Sequence, residues 1–240
     1  MKTLIIFLLT TLISCNSLSE TSSYTQSDGQ IISEGVKKDG LKEGKWTHWY
    51  KNGQKKSEGY YKNDHASGNW VHWYENGQKM SVGNKKYGKM NGKWTFWYEN
   101  GEKESEGLYK NSEADGKWTH WYKNGQKMSE GGYRNNEADG KWTHWYENGQ
   151  IDSIKNYKDN KLNGKSIFWL DNGQKSFEGS YRNNKAEGKW TYWKRNGKID
   201  NEVNYKDGDL VDRTIYKYSY FTGRLKSKKK FKEGKCISGC

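Results

Sequence analysis

Seven glycines, Gly44, Gly68, Gly92, Gly116, Gly140, Gly164 and Gly188, recur at one constant interval along the chain. Trp49, Trp73, Trp97, Trp121, Trp145, Trp169 and Trp193 keep the same step, as do Gly53, Gly77, Gly101, Gly125, Gly149, Gly173 and Gly197. A period this strict means one supersecondary unit stacked on copies of itself, each copy too small to bury its own apolar face.

The unit itself reads as two strands. Lys45 to Tyr50 is dense in aromatic and β-branched residues, which favour the pleated conformation. Asn52-Gly53 follows, a pair whose tolerance of φ > 0 makes it a strong hairpin signal, and a second strand runs from about Gln54 to Lys62. A looser connection leads on to the next Gly-Lys-Trp. The predicted fold class is all-β, an elongated meander of tandem antiparallel β-hairpins with a 24-residue repeat, about fifteen strands spaced by ~4.8 Å and on the order of 70 Å long. The 28 glycines, the absence of proline and the 37 aromatic residues fit paired strands in which no ladder donor is missing.

A two-residue Asn52-Gly53 turn would set Trp46 opposite Gly59, with the indole lying over that bare glycine. The copies support this unevenly. Ser166 replaces the first Trp while Gly179 still stands opposite, and Trp142 faces Lys155. Alternation puts Trp46, His48 and Tyr50 on one face and Thr47 with Trp49 on the other. The invariant Trp49 slot and its Thr, Val or Ile neighbour favour that second stripe as core. The first stripe then becomes the candidate partner-binding face: Trp46, His48, Tyr50, Trp70, His72, Tyr74, Trp94, Phe96, Tyr98, Trp118, His120, Tyr122, Trp142, His144 and Tyr146.

The ends differ from the middle. Lys2, the apolar run Leu4 to Ile13 and then Leu12-Ile13-Ser14-Cys15 resemble the signal and lipobox of bacterial lipoproteins. That resemblance implies a cleaved segment 1–14, a lipid anchor on Cys15 and a location at the cell envelope, the outer membrane first, facing periplasm or exterior. Residues 15–27 read as a flexible tether and 28–234 as the array. Tyr24 to Gly40 is the N-terminal cap. In the last unit Thr214 and Lys217 stand where the two Trp are expected. In the 235–240 tail, Cys236 and Cys240 are a candidate disulfide, with free thiols or an intermolecular bridge left open.

Gly140 to Gln150 and Lys127 to Tyr133 resemble the bacterial variant of the MORN repeat, across most of Gln26 to Gly234. The resemblance, shared with YwqK-type antitoxins, implies a hairpin sheet with a binding role; MORN repeats are linked to protein scaffolding and phospholipid contact. An antitoxin role fits poorly with an envelope address.

No catalytic, cofactor or metal site is expected. His48, His72, His120 and His144 share a slot with Phe96, Phe168 and Tyr192, which marks aromatic packing, and no unit gathers a nucleophile, a base and an orienting group. The net charge is +13, of which Arg224 to Lys235 carries +6. That segment fits a solvated edge strand or attraction to anionic lipid or lipopolysaccharide, and an envelope location makes nucleic acid the least expected partner. The expected function is an envelope-anchored scaffold that binds a protein partner, with envelope glycan, lipopolysaccharide or phospholipid as the alternative, and toxin neutralisation as a special case.

Overall fold

The computed structural model describes residues 19–25 and 30–240. Cys15, the apolar segment before it and the lipobox lie outside the described residues. The rest is a run of antiparallel strands: β1 (Ser19–Thr25), β2 (Ile31–Lys38), β3 (Leu41–Trp49), β4 (Lys55–Lys62), β5 (His65–Trp73), β6 (Lys79–Lys86), β7 (Lys89–Trp97), β8 (Lys103–Lys110), β9 (Glu113–Trp121), β10 (Lys127–Arg134), β11 (Glu137–Trp145), β12 (Ile151–Lys158), β13 (Lys161–Leu162), β14 (Gly164–Trp169), β15 (Lys175–Arg182), β16 (Lys185–Trp193), β17 (Ile199–Lys206), β18 (Asp209–Tyr218), β19 (Leu225–Lys232) and β20 (Lys235–Ser238). Each pairs with its sequence neighbours, β12 pairing with both β13 and β14, which form one strand interrupted at Asn163. The fold is one all-β meander built on the 24-residue unit. Ser19–Thr25, expected within the tether, is a strand paired along its length with β2. Lys235–Ser238, expected as tail, pairs with β19, and Cys236 is bonded to Cys240.

Two turn types alternate along the meander, and each corrects the expectation. The Asn-Gly connection is a three-residue loop: the Tyr50 amide donates to the Gln54 carbonyl at 2.8 Å and the Gly53 amide to the Tyr50 carbonyl at 3.0 Å. Only Gly53 is left-handed, at φ +82°, the pattern of a three-residue hairpin loop closed by a left-handed residue. That extra loop residue would shift every later pair by one. A bulge at Lys56, between the pairs Trp49↔Lys55 and His48↔Ser57, shifts it back. Trp46 therefore does face Gly59, because two one-residue offsets cancel.

The connection expected to be loose is the tighter one. Asn63 (φ +48°) and Asp64 (φ +62°) are both left-handed and join Lys62 to His65 directly, a two-residue turn of the primed type. The following strand starts well before the predicted Gly-Lys-Trp, at Leu41 in the first unit. It carries a two-residue bulge at Gly44-Lys45, skipped between the pairs Val36↔Glu43 and Gly35↔Trp46. Gly44 sits there at φ +72°, a conformation costly for any residue with a Cβ. This bulge, and not a turn, explains the glycine series that begins at Gly44.

The core lies on the face opposite to the predicted one. Trp46 is 0% exposed and Trp94 1%, and Trp70, Trp118, Trp142 and Trp190 are also buried, while Trp49 and its equivalents are half-buried. Each buried indole lies on the glycine of the preceding strand: a Cβ built on Gly35 would stand 2.3 Å from Trp46, and one on Gly83 would meet the Trp94 ring just as closely. Gly59, opposite Trp46, is covered by Trp70. The two-residue bulge displaces the backbone next to each indole, and for five of the six the ring N–H takes up an exposed carbonyl there, Trp70 being the exception. Trp46 donates to Val36 O at 3.0 Å, Trp94 to Asn84 O at 3.0 Å and Trp142 to Gly132 O at 3.0 Å. Each such ring removes about 200 Å² from water, worth roughly 5 kcal/mol as an upper bound. Neighbouring units are thus joined through tryptophan on glycine, and the sheet coheres without a second layer.

Candidate functional site

The two faces of the sheet carry different chemistry. On the packed face, buried tryptophans alternate with half-buried rings: His72 stacks between Trp70 (5.8 Å) and Trp94 (6.5 Å), Phe96 between Trp94 (6.0 Å) and Trp118 (6.4 Å), and His120 between Trp118 (5.8 Å) and Trp142 (6.3 Å). Tyrosines meet the same indoles edge-on, as Tyr109 does Trp118 at 5.0 Å and Tyr133 does Trp142 at 5.0 Å. Burial in this stack lowers the pKa of His48, His120 and His144, and lowers that of His72 to about 4. These imidazoles are neutral packing groups at neutral pH.

The fifteen residues predicted as a partner-binding stripe are therefore absorbed by the fold. Trp46, Trp70, Trp94, Trp118 and Trp142 are buried, and His48, His72, Phe96, His120 and His144 fill the stack between them. Tyr50, Tyr74, Tyr98, Tyr122 and Tyr146 turn toward the loop edge, where each hydroxyl donates to a backbone carbonyl of the next unit, Tyr50 to Trp73 O at 2.8 Å and Tyr98 to Trp121 O at 2.8 Å. Beside them Asn52, Asn76, Asn100, Asn124 and Asn148 clip the next loop through its carbonyl. On the opposite edge, the Lys42 amide donates to Asp64 Oδ1 and the Asp64 amide to the Lys42 carbonyl.

The Thr47/Trp49 face carries charged groups. In most units a carboxylate here is bridged by two lysines. Glu58 holds Lys45 at 2.9 Å and Lys55 at 2.8 Å, and Glu130 holds Lys117 and Lys127, both at 3.0 Å. The hydrogen bonds from Lys127 and Lys117 keep the Glu130 carboxyl below its usual range. The ammonium of one unit then lies over the half-buried indole of the next, Lys103 over Trp121 at 5.3 Å and Lys127 over Trp145 at 5.5 Å. Among the described residues no group of His, Cys, Asp and Glu is placed to hold a metal ion, and no helix is long and apolar enough to cross a membrane.

Two units depart from the rule, and they show how it works. Lys155 stands where the other units have glycine, and the residue that would roof it is Ser166. The Lys155 ammonium reaches over Phe168 at 5.4 Å instead. In the last unit the bulge is one residue shorter, so Val203 faces Arg213 and Glu202 faces Thr214. Arg213 and Tyr216, not Thr214 and Lys217, therefore occupy the two tryptophan slots. A side chain at the glycine slot goes with loss of the ring it would seat both times, Lys155 with Ser166 and Val203 with Arg213. The pairing of each glycine with the tryptophan that follows it, as Gly35 with Trp46, was readable in the sequence; Trp46 with Gly59, across the hairpin, was the wrong pair to compare.

Residues 42–63, 90–111, 114–135, 138–159 and 186–207 each match the MORN repeat variant. These five stretches are similar to MORN repeats. No curated protein matches this chain. Among solved structures, one described as "Crystal Structure of TcdB2-TccC3-TEV" is similar over 90% of this chain at 10% identity and a TM-score of 0.25. The chain spans about 15% of that protein's length.

Proposed function

We propose that this protein is a non-enzymatic MORN-repeat scaffold, tethered at the bacterial envelope, that holds an extended partner along its Thr47/Trp49 face. One observation carries the reading: the accessible chemistry is distributed, with the Lys-Glu-Lys motif repeated at Glu58, Glu106, Glu130 and Glu178, and among the described residues no unit gathers a nucleophile, a base and an orienting group at one point. A small substrate needs convergence at a point; an array of equivalent contacts fits a partner that runs along it. The envelope tether rests on the resemblance of Leu12-Ile13-Ser14-Cys15 to a lipobox. The tryptophans of the partner-binding stripe expected from the sequence are buried and its other rings are packed between them or hydrogen-bonded to the next unit, so the protein partner expected there is weighed again on the other face.

The test compares single with multiple lesions. Envelope extract passed over the immobilised full chain should leave bound material that a Trp97→Ala, Trp121→Ala, Trp145→Ala variant retains poorly and each single variant retains nearly as well as the parent. If one single substitution removes all retention while circular dichroism shows an intact sheet, function belongs to one pocket and the scaffold reading fails.

A further inference from the structure

We infer that the ligand of this face is an acidic polysaccharide lying across the strands, about two sugar rings to each repeat unit. The inference rests on the scaffold reading and adds a chemical class to it.

Spacing is the first argument. Neighbouring strands are ~4.8 Å apart, so equivalent groups in successive units recur at roughly 9.6 Å. An extended chain of β-1,4-linked pyranose rings is a flat ribbon that advances by a closely similar distance every two rings, so each disaccharide meets the same groups as the one before.

Chemistry is the second. Sugar rings present C–H faces to aromatic surface, and the half-buried Trp97, Trp121 and Trp145 supply that surface in register. Two lysines flank each carboxylate of the motif on this face, and their side chains stay open to solvent, Lys93 at 62% and Lys117 at 68%. The basic strand β19 continues the face, because Lys230 pairs with Thr214 and Lys228 with Tyr216. The retained carboxylates decide against a ligand that only carries negative charge: Glu106 and Glu130 would repel a polyglutamate-like chain at every unit, whereas sugar hydroxyls donate to them while the ligand's own acid groups meet the lysines.

Shape is the third. A shallow groove of about 350 Å³ is lined by Lys93, Glu106, Lys117, Thr119, Trp121 and Glu130. The next, about 320 Å³, begins from the same Lys117 and Glu130 and runs to Lys141 and Thr143. A chain leaving one groove enters the other. The charged lattice is interrupted before them at Val71 and Val82, and after them at Ile151, Ile154 and Ile167, which centres the track on β7 to β11.

Binding to the full chain is measured by calorimetry with oligomannuronates of increasing length from dimer to octamer, with carboxymethylcellulose against uncharged hydroxyethylcellulose, and with poly-L-glutamate and anionic lipid vesicles. Affinity should rise at least ~tenfold from the dimer to the octamer, weaken with salt, and be at least ~tenfold lower for the uncharged cellulose. A Lys93→Gln, Lys117→Gln, Lys141→Gln variant should lose roughly tenfold with its thermal unfolding unchanged. Equal or tighter binding of poly-L-glutamate or vesicles overturns the polysaccharide and leaves the scaffold standing. Binding that does not depend on oligomer length overturns both. Absence of binding to every acidic polysaccharide overturns the inference alone.

Discussion

Replacing Gly83 by alanine tests the joint between units. The new Cβ would lie 2.2 Å from Trp94 Cδ2, with the ring's other fused atoms as close, and the ring has no room to slide because Phe96 and His72 flank it. Either the strands separate or the indole leaves its seat. Overpacking of this kind costs about 1–3 kcal/mol, and partial exposure of a ring now 1% exposed adds to it, so about 3 kcal/mol is expected. Trp94→Ser alone should cost about 4 kcal/mol, within the range for emptying a buried tryptophan site. The double variant should cost no more than Trp94→Ser alone, well short of the two single costs added together, because without the ring the methyl group meets nothing; Lys155 with Ser166 is the protein's own version of that double change. Gly107→Ala is the control. Gly107 faces Trp94 across the hairpin but seats Trp118, so combined with Trp94→Ser its cost should add. Hydrogen exchange on peptides spanning β6 to β9 reads these energies locally, which an array that need not unfold in one step requires. Additive energies for Gly83 with Trp94, or strong coupling of Gly107 with Trp94, would refute the reasoning.

Acid should loosen the packed face before it touches the ion pairs. The histidines have lower pKa values folded than unfolded, so protonation favours the unfolded chain, and the stability present above about pH 6.5 is lost as pH falls toward about 4, where His72 titrates. Melting temperature should fall between pH 7 and pH 5, and a variant with His48, His72, His120 and His144 all changed to Phe should be nearly flat over that window; an unchanged slope would assign the loss elsewhere. Tyr98→Phe removes a hydroxyl that donates to Trp121 O and should cost about 1 kcal/mol in local exchange of the 97–102 loop, with no effect meaning that water replaces it freely. Ser166→Trp alone should destabilise, since the Lys155 side chain fills the seat, while Ser166→Trp with Lys155→Gly should match or exceed the parent in urea resistance.

Much of this was legible in the sequence, for reasons that differ by residue. The strict 24-residue step fixed strand number per unit and the meander, because only stacked equivalents need such a period. The Trp46 to Gly59 register came out correctly although the turn beneath it was misjudged: Gly53 closes a three-residue loop, and Lys56 absorbs the difference. The buried face was misread because Thr47, Val71 and Ile167 look like core neighbours, whereas Trp46 is buried by a feature with no side chain, the bare backbone of Gly35. Positive φ at Gly44 leaves no trace in hydrophobic pattern. The one-residue deletion before Arg213 concealed the second case of the glycine and tryptophan rule, leaving Lys155 with Ser166 as an isolated oddity.

The seating of each indole on the unit before it gives the protein a direction. Insertion or deletion of one whole repeat anywhere between Gly35 and Trp142 would restore every seat, so gene duplication or loss in whole units can change the length of the track without redesigning a joint. Near the far end Val203 occupies the seat, and Arg213 of β18 stands where the ring would be. The chain can lengthen from within in whole units, each new copy bringing its own glycine and its own ring.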